Sequence, residues 1–240
     1  MGVRLRARPH APTAPAAPGL HRLSPAGGGP PGDALLYVPP LVTPDRPAPL
    51  AVMFHGAGGS AVHGLALLRD EADAAGLVLL ATPSRHDTWD VIRGGFGPDV
   101  AFLDAALAEA FARCAVDPGR LALGGFSDGA SYALSLGLAN GDLCTHVVAF
   151  SPGFSAPARR VGAPRCYVAH GTRDAVLPIG PCSRRLVRAL ERDGYAVRYR
   201  EFDGPHTVPP DVAREAVAWF TAGDAAADAA ADAAGDAAGD

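Results

Sequence analysis

The chain has 240 residues, 48% of them hydrophobic, a formal charge of −4 and no lysine among its 21 basic residues. That length suits one large α/β domain or two small ones. The lack of lysine excludes a Schiff-base lysine, and no apolar run approaches the roughly 18 residues of a membrane span.

Residues 1–19 carry Arg4, Arg6 and Arg8 and then a Pro/Ala-rich run, with no apolar signal core behind the arginines. A flexible arm and a cytoplasmic location are the expectation. Short apolar runs follow at 20–24, 34–38, 50–54, 77–81, 120–124, 146–150, 166–169 and 196–202. Helical patterns fall at about 61–75, 98–114, 128–139, 181–193 and 210–221. The turn "AGGGPPG" between the first two runs predicts a hairpin. From residue 50 onward strands alternate with helices, and the strands are apolar on both faces. This is the pattern of a mostly parallel sheet of about eight strands covered by helices on both sides. Asn140-Gly141 predicts a left-handed stop for the helix that begins near 128.

The folded domain is expected over 20–222. Beyond it, 223–240 is an Ala/Asp low-complexity tail in which aspartates four apart repel and nothing larger than alanine is available to bury. Its five aspartates (Asp224, Asp228, Asp232, Asp236 and Asp240) outweigh the whole formal charge. The domain is then close to neutral and offers no electrostatic footprint for nucleic acid. Cys114, Cys144, Cys166 and Cys182 form no CxxC or metal-type pair and are expected as free thiols.

The chemistry concentrates at predicted strand ends, where open α/β sheets bind their ligands. Gly125-Phe126-Ser127-Asp128-Gly129 reads G-x-S-x-G on a strand-to-helix hinge, a turn that strains the serine backbone and thrusts its hydroxyl outward. A serine needs a base, and the base needs a group to hold its tautomer. Asp174 in "HGTRDAVLP" and His206 in "DGPHTVPP" follow later strands, in the chain order Ser…Asp…His. The glycine-rich "HGAGG" at 55–59 can aim a backbone N–H, from Ala57 or Gly58, at a developing oxyanion. The N–H of Asp128 would join it. Asp203 is the rival acid, three residues before His206, and reads better as a turn residue. Among the other histidines, His55 and His170 precede glycines at strand ends and read as loop-bonding residues. His86 sits on a long loop, His63 on a helix, His146 opens a strand, and His10 and His21 lie outside the expected site.

Together these four motifs resemble the α/β-hydrolase superfamily over about residues 34–221. Within it the chain is similar to small serine esterases of the phospholipase/carboxylesterase group. It also resembles polyhydroxybutyrate-depolymerase-like and feruloyl-esterase-like proteins, through "GPDVAFLDAALAEAFARCAVDPGRLALGGFSDG". The resemblance implies an α/β-hydrolase fold and a carboxylic ester hydrolase working through Ser127, His206 and Asp174. It implies an acyl-enzyme, no metal or organic cofactor, and a small-molecule or lipid-like ester substrate. Larger relatives carry a cap between the strands ending at Phe150 and beginning at Cys166; the short segment here leaves no room for one. A thioesterase or serine peptidase would use the same triad, and a non-catalytic binding module would keep the same fold. In the loop after the fourth strand, Trp89 either faces an acyl or aryl group or anchors the loop on the core. Phe126 and Phe154 carry the same two readings.

Overall fold

The computed structural model describes residues 2–25 and 32–222. The predicted tail at 223–240 and most of the hairpin turn lie outside the described residues. Eight strands form one sheet: β1 (Gly19–Leu23), β2 (Ala34–Val38), β3 (Ala48–Phe54), β4 (Val78–Ala81), β5 (Val116–Phe126), β6 (His146–Phe150), β7 (Arg165–Gly171) and β8 (Val197–Phe202). Their spatial order is β1-β2-β4-β3-β5-β6-β7-β8. β1 and β2 pair antiparallel, as the hairpin prediction requires, and β2 also runs antiparallel to β4. Every pairing from β4 through β8 is parallel.

Among the described residues six α-helices cover the sheet: α1 (Ala61–Ala66), α2 (Arg69–Ala75), α3 (Pro98–Arg113), α4 (Asp128–Leu138), α5 (Arg185–Arg192) and α6 (Pro210–Thr221). Strand alternation divides the core between two faces. Leu50, Val52 and Phe54 of β3 belong to the core face covered by α3, α4 and α5, while Ala51 and Met53 belong to the face covered by α1, α2 and α6. A Leu, Val or Phe side chain taken fully out of water contributes about 1.5–3 kcal/mol, so two filled faces make the sheet the rigid floor of the site. The four cysteines are free and buried.

Local differences from the sequence reading have physical causes. The single helix expected over 61–75 is broken between α1 and α2, where Leu68 turns into the core at 2% exposure. β5 starts earlier than expected, at Val116, and a register shift between Ala48 and Leu50 of β3 absorbs the extra residues before Leu121. Neither Asn140 nor Gly141 adopts the left-handed conformation expected of a helix stop. Gly141 is instead needed for close approach, since a Cβ there would lie 2.2 Å from the Val161 carbonyl oxygen. Asn140 is fully buried and serves the N-terminal segment. Its Oδ1 accepts from the Leu5 N–H (2.8 Å), and its Nδ2 donates to the Val3 carbonyl (2.9 Å).

That segment is docked where a flexible arm was expected. Leu5 is 1% exposed, Asp104 of α3 accepts from the Arg6 and Ala7 N–H groups, and Arg4 and Arg8 both pair with Asp142. The Pro/Ala composition hid two apolar anchors, Val3 and Leu5, and a buried amide waiting for their backbone.

Candidate active site

Ser127 sits between β5 and α4 with φ +57° and ψ −118°, in backbone space that a non-glycine residue enters only under constraint. Its neighbours explain how the turn is enforced. A Cβ on Gly125 would lie 2.6 Å from the Gly129 carbonyl carbon, and one on Gly129 would lie 2.3 Å from the Phe54 carbonyl oxygen. The elbow therefore packs backbone on backbone, and the Ser127 N–H donates to the Phe150 carbonyl across the sheet (2.9 Å).

The loop after β8 carries His206 over the serine. Its Nε2 lies 3.0 Å from Ser127 Oγ and its Nδ1 lies 2.5 Å from Asp174 Oδ2. Asp174 follows β7, and its Oδ1 accepts from the Val176 (2.9 Å) and Leu177 (2.8 Å) N–H groups. Burial pushes this carboxyl up, but the Leu177 and Val176 N–H groups and the His206 ring outweigh it and hold Asp174 below the usual carboxylate range. Three residues far apart in sequence thus meet in a serine–imidazole–carboxylate chain. Asp203, the rival acid, is an exposed partner of Arg173.

His170 also bonds its loop, as the sequence reading expected, and does more. Its Nε2 donates to the Leu177 carbonyl (2.8 Å) and lies 3.1 Å from Asp174 Oδ2; its Nδ1 lies 2.6 Å from Ser183 Oγ. Burial lowers its pKa and favours the neutral ring. His55 is likewise buried with a lowered pKa; its Nδ1 donates to the Gly56 carbonyl and its Nε2 accepts from the Ser84 N–H.

The glycine-rich loop resolves one ambiguity. Gly58 (φ +68°) donates its N–H to the Asp87 carbonyl at 2.6 Å, which takes it out of the candidate oxyanion donors. Among the described residues, the Ala57 and Asp128 N–H groups have no such acceptor. Asp128 opens α4, so its N–H also stands at the positive end of that helix.

Trp89 does not face a substrate. It is fully buried, stacks on Tyr132 (4.7 Å, 13°), meets Phe54 edge-on and donates from Nε1 to the His55 carbonyl. Its aromatic bulk anchors the loop, the second of the two readings. Phe126 lies against the His206 ring, with centroids 4.5 Å apart. The two line a hollow of about 280 Å³ together with His63, Ala66, Leu67, Thr207 and Val208. Phe154 is half-buried after β6, its N–H directed at Ser131 Oγ, and it does not line this hollow. A hollow of about 300 Å³ at the opposite ends of the strands, beside Arg46, Pro47 and Arg120, touches none of these groups. Sequence reasoning missed Thr88, whose Oγ1 donates to Asp128 Oδ2 at 2.6 Å. A lone loop threonine carries no signal for such a contact.

Residues 151–164 between β6 and β7 contain no helix or strand, and among the described residues no cap covers the site. The chain has the α/β-hydrolase fold. It is similar to the crystal structure of esterase PE8, with 25% identity, TM-score 0.60, and 73% of this chain covering 95% of that one. It is also similar to TT1662 from Thermus thermophilus, with 27% identity, TM-score 0.54, and 84% of this chain covering 95% of that one. A protein named "Putative esterase NocK" from Nocardia uniformis subsp. tsuyamanensis is 29% identical over 226 residues; the match takes in 84% of this chain and spans 60% of that protein's length. No family model matches the chain. Among the described residues, no helix of this hydrolase fold is long and apolar enough to cross a membrane.

Proposed function

We propose that the chain is a serine hydrolase that cleaves carboxylic esters through an acyl-enzyme. The observation that carries this reading is the unbroken hydrogen-bonded path from Ser127 Oγ through the His206 ring to Asp174. With Nδ1–H donated to Asp174, His206 Nε2 is left as the acceptor for the Ser127 proton. Attack of Oγ on the ester carbonyl moves that proton to Nε2, and the Asp174 carboxylate stabilises the imidazolium that results. The Ala57 and Asp128 N–H groups receive the oxyanion; removing one such donor typically costs about 10²–10³ in rate. Collapse of the intermediate expels the alcohol, protonated by His206, and water then repeats the cycle on the acyl-Ser127 ester. The esterase names of PE8 and NocK support this choice of bond, and the small uncapped site suits a small-molecule or lipid-like ester.

Intact-protein mass after brief exposure to a fluorophosphonate tests the reading. One adduct on the wild type and none on Ser127→Ala is the expected result. An unlabelled wild type, or an equally labelled variant, overturns it.

A further inference from the structure

The mechanism needs two N–H donors held a fixed distance apart, yet they belong to different segments. Ala57 lies on the loop after β3, and Asp128 is the first residue of α4. Three consecutive residues of the 82–97 loop reach both. The Asp87 carbonyl accepts from the Gly58 N–H (2.6 Å), Thr88 Oγ1 donates to Asp128 Oδ2 (2.6 Å), and Trp89 Nε1 donates to the His55 carbonyl (2.9 Å). The same loop is knotted at its far end. Asp99 accepts from the Arg85 and Asp90 N–H groups, and Asp90 Oδ2 accepts from the Gly97 and Asp99 N–H groups.

We infer that residues 87–89 form a brace that sets the separation of the two oxyanion donors, with Thr88 as a positioning residue. The inference rests on the hydrolase reading and deepens it. An oxyanion donor works only at about 2.7–3.1 Å from the developing charge, and a misplacement of about 1 Å can cost roughly a hundredfold in rate. Asp87 and Trp89 hold the loop 55–59 side, and Thr88 holds the α4 side. The Thr88 bond has a second consequence. It engages the Asp128 carboxylate, a negative charge on the very residue whose N–H must receive another. Without the hydroxyl this charge is free to turn toward the oxyanion and oppose it.

Thr88→Val removes the hydroxyl with little change of shape, and Thr88→Ser restores it. Ester kinetics, normalised by active-site titration, would be read beside affinity for a trifluoromethyl ketone, which forms a tetrahedral oxyanion on the serine. Thr88→Val is expected to lower kcat about tenfold and weaken the ketone by a similar factor, with KM within about twofold; Thr88→Ser should recover most of both. A wild type active on esters whose Thr88→Val variant keeps its kcat and ketone affinity overturns the brace alone. So does a variant that loses only melting temperature. A wild type inert to esters and to fluorophosphonate overturns the hydrolase reading, and the brace's role falls with it.

Discussion

His170 Nε2 lies 3.1 Å from Asp174 Oδ2, the same carboxylate oxygen that receives the His206 Nδ1–H. The Asp174 carboxylate is thereby surrounded: two backbone N–H groups on one oxygen, two imidazoles on the other. Replacing His170 by Ala would empty a fully buried site and strand Ser183 Oγ and the Leu177 carbonyl. A loss of about 2–4 kcal/mol in urea unfolding is expected, with a fall in kcat as the Asp174 loop loosens. A loss under about 0.5 kcal/mol, the range of ordinary surface changes, would mean that His170 does not hold that loop.

The elbow depends on bare backbone at Gly129, where a Cβ would meet the carbonyl oxygens of Phe54 (2.3 Å) and His55 (2.5 Å). Neither contact can yield by rotating a side chain. Gly129→Ala should lower the melting temperature and abolish ester turnover, whereas Gly180→Ala, with open space around its Cβ, should change little. Near-normal activity in Gly129→Ala would contradict the packing described.

Burial, with the neighbouring Asp99 charge adding to it, raises the Asp90 carboxyl to about 6, against an ordinary 3.8. The folded chain therefore holds this proton more tightly than the unfolded one, and stability falls as pH rises through that interval. Asp90→Asn removes the penalty while leaving an oxygen for the Gly97 and Asp99 N–H groups. His55 and His170, lowered by burial, tilt stability the other way below their ordinary value near 6.5, so the informative quantity is variant minus wild type. That difference in melting temperature should grow from about pH 4 to about pH 6 and level off above. A difference independent of pH would show that Asp90 is not the titrating group.

In the proposed reaction His206 must reach the leaving oxygen, so the hollow it shares with Phe126, Ala66 and Leu67 is expected to take the alcohol group. Ala66→Trp should fill that space. Turnover of esters with bulky alcohols is expected to drop about tenfold relative to methyl esters of the same acid, within the range of 1–3 kcal/mol per hydrophobic group. A uniform drop across alcohols, or sensitivity to the acyl chain instead, would assign the hollow differently.

Much of the fold was legible because its signals are local. The runs at 34–38, 146–150 and 210–221 coincide with β2, β6 and α6. The α4 stop and the N-terminal segment were misread for one shared reason. Asn140 suggested a left-handed turn from its type alone, but its amide is used by Val3 and Leu5, more than 130 residues away. Composition near residue 5 contains nothing about a vacancy at residue 140.

The candidate site divides along the same line. Sequence alone nominated Ser127, Asp174 and His206, because a strained turn, a tautomer-holding acid and a base each demand particular residue types at strand ends, and the fold brings the three within hydrogen-bonding distance. It also supplied both readings of Trp89 and both choices of loop donor. Only the tertiary structure chose between them, burying Trp89 against Tyr132 and committing the Gly58 N–H to Asp87. Residue type and local spacing are properties of the chain, whereas hydrogen-bond partners and exposure arise only when distant segments compete for the same space.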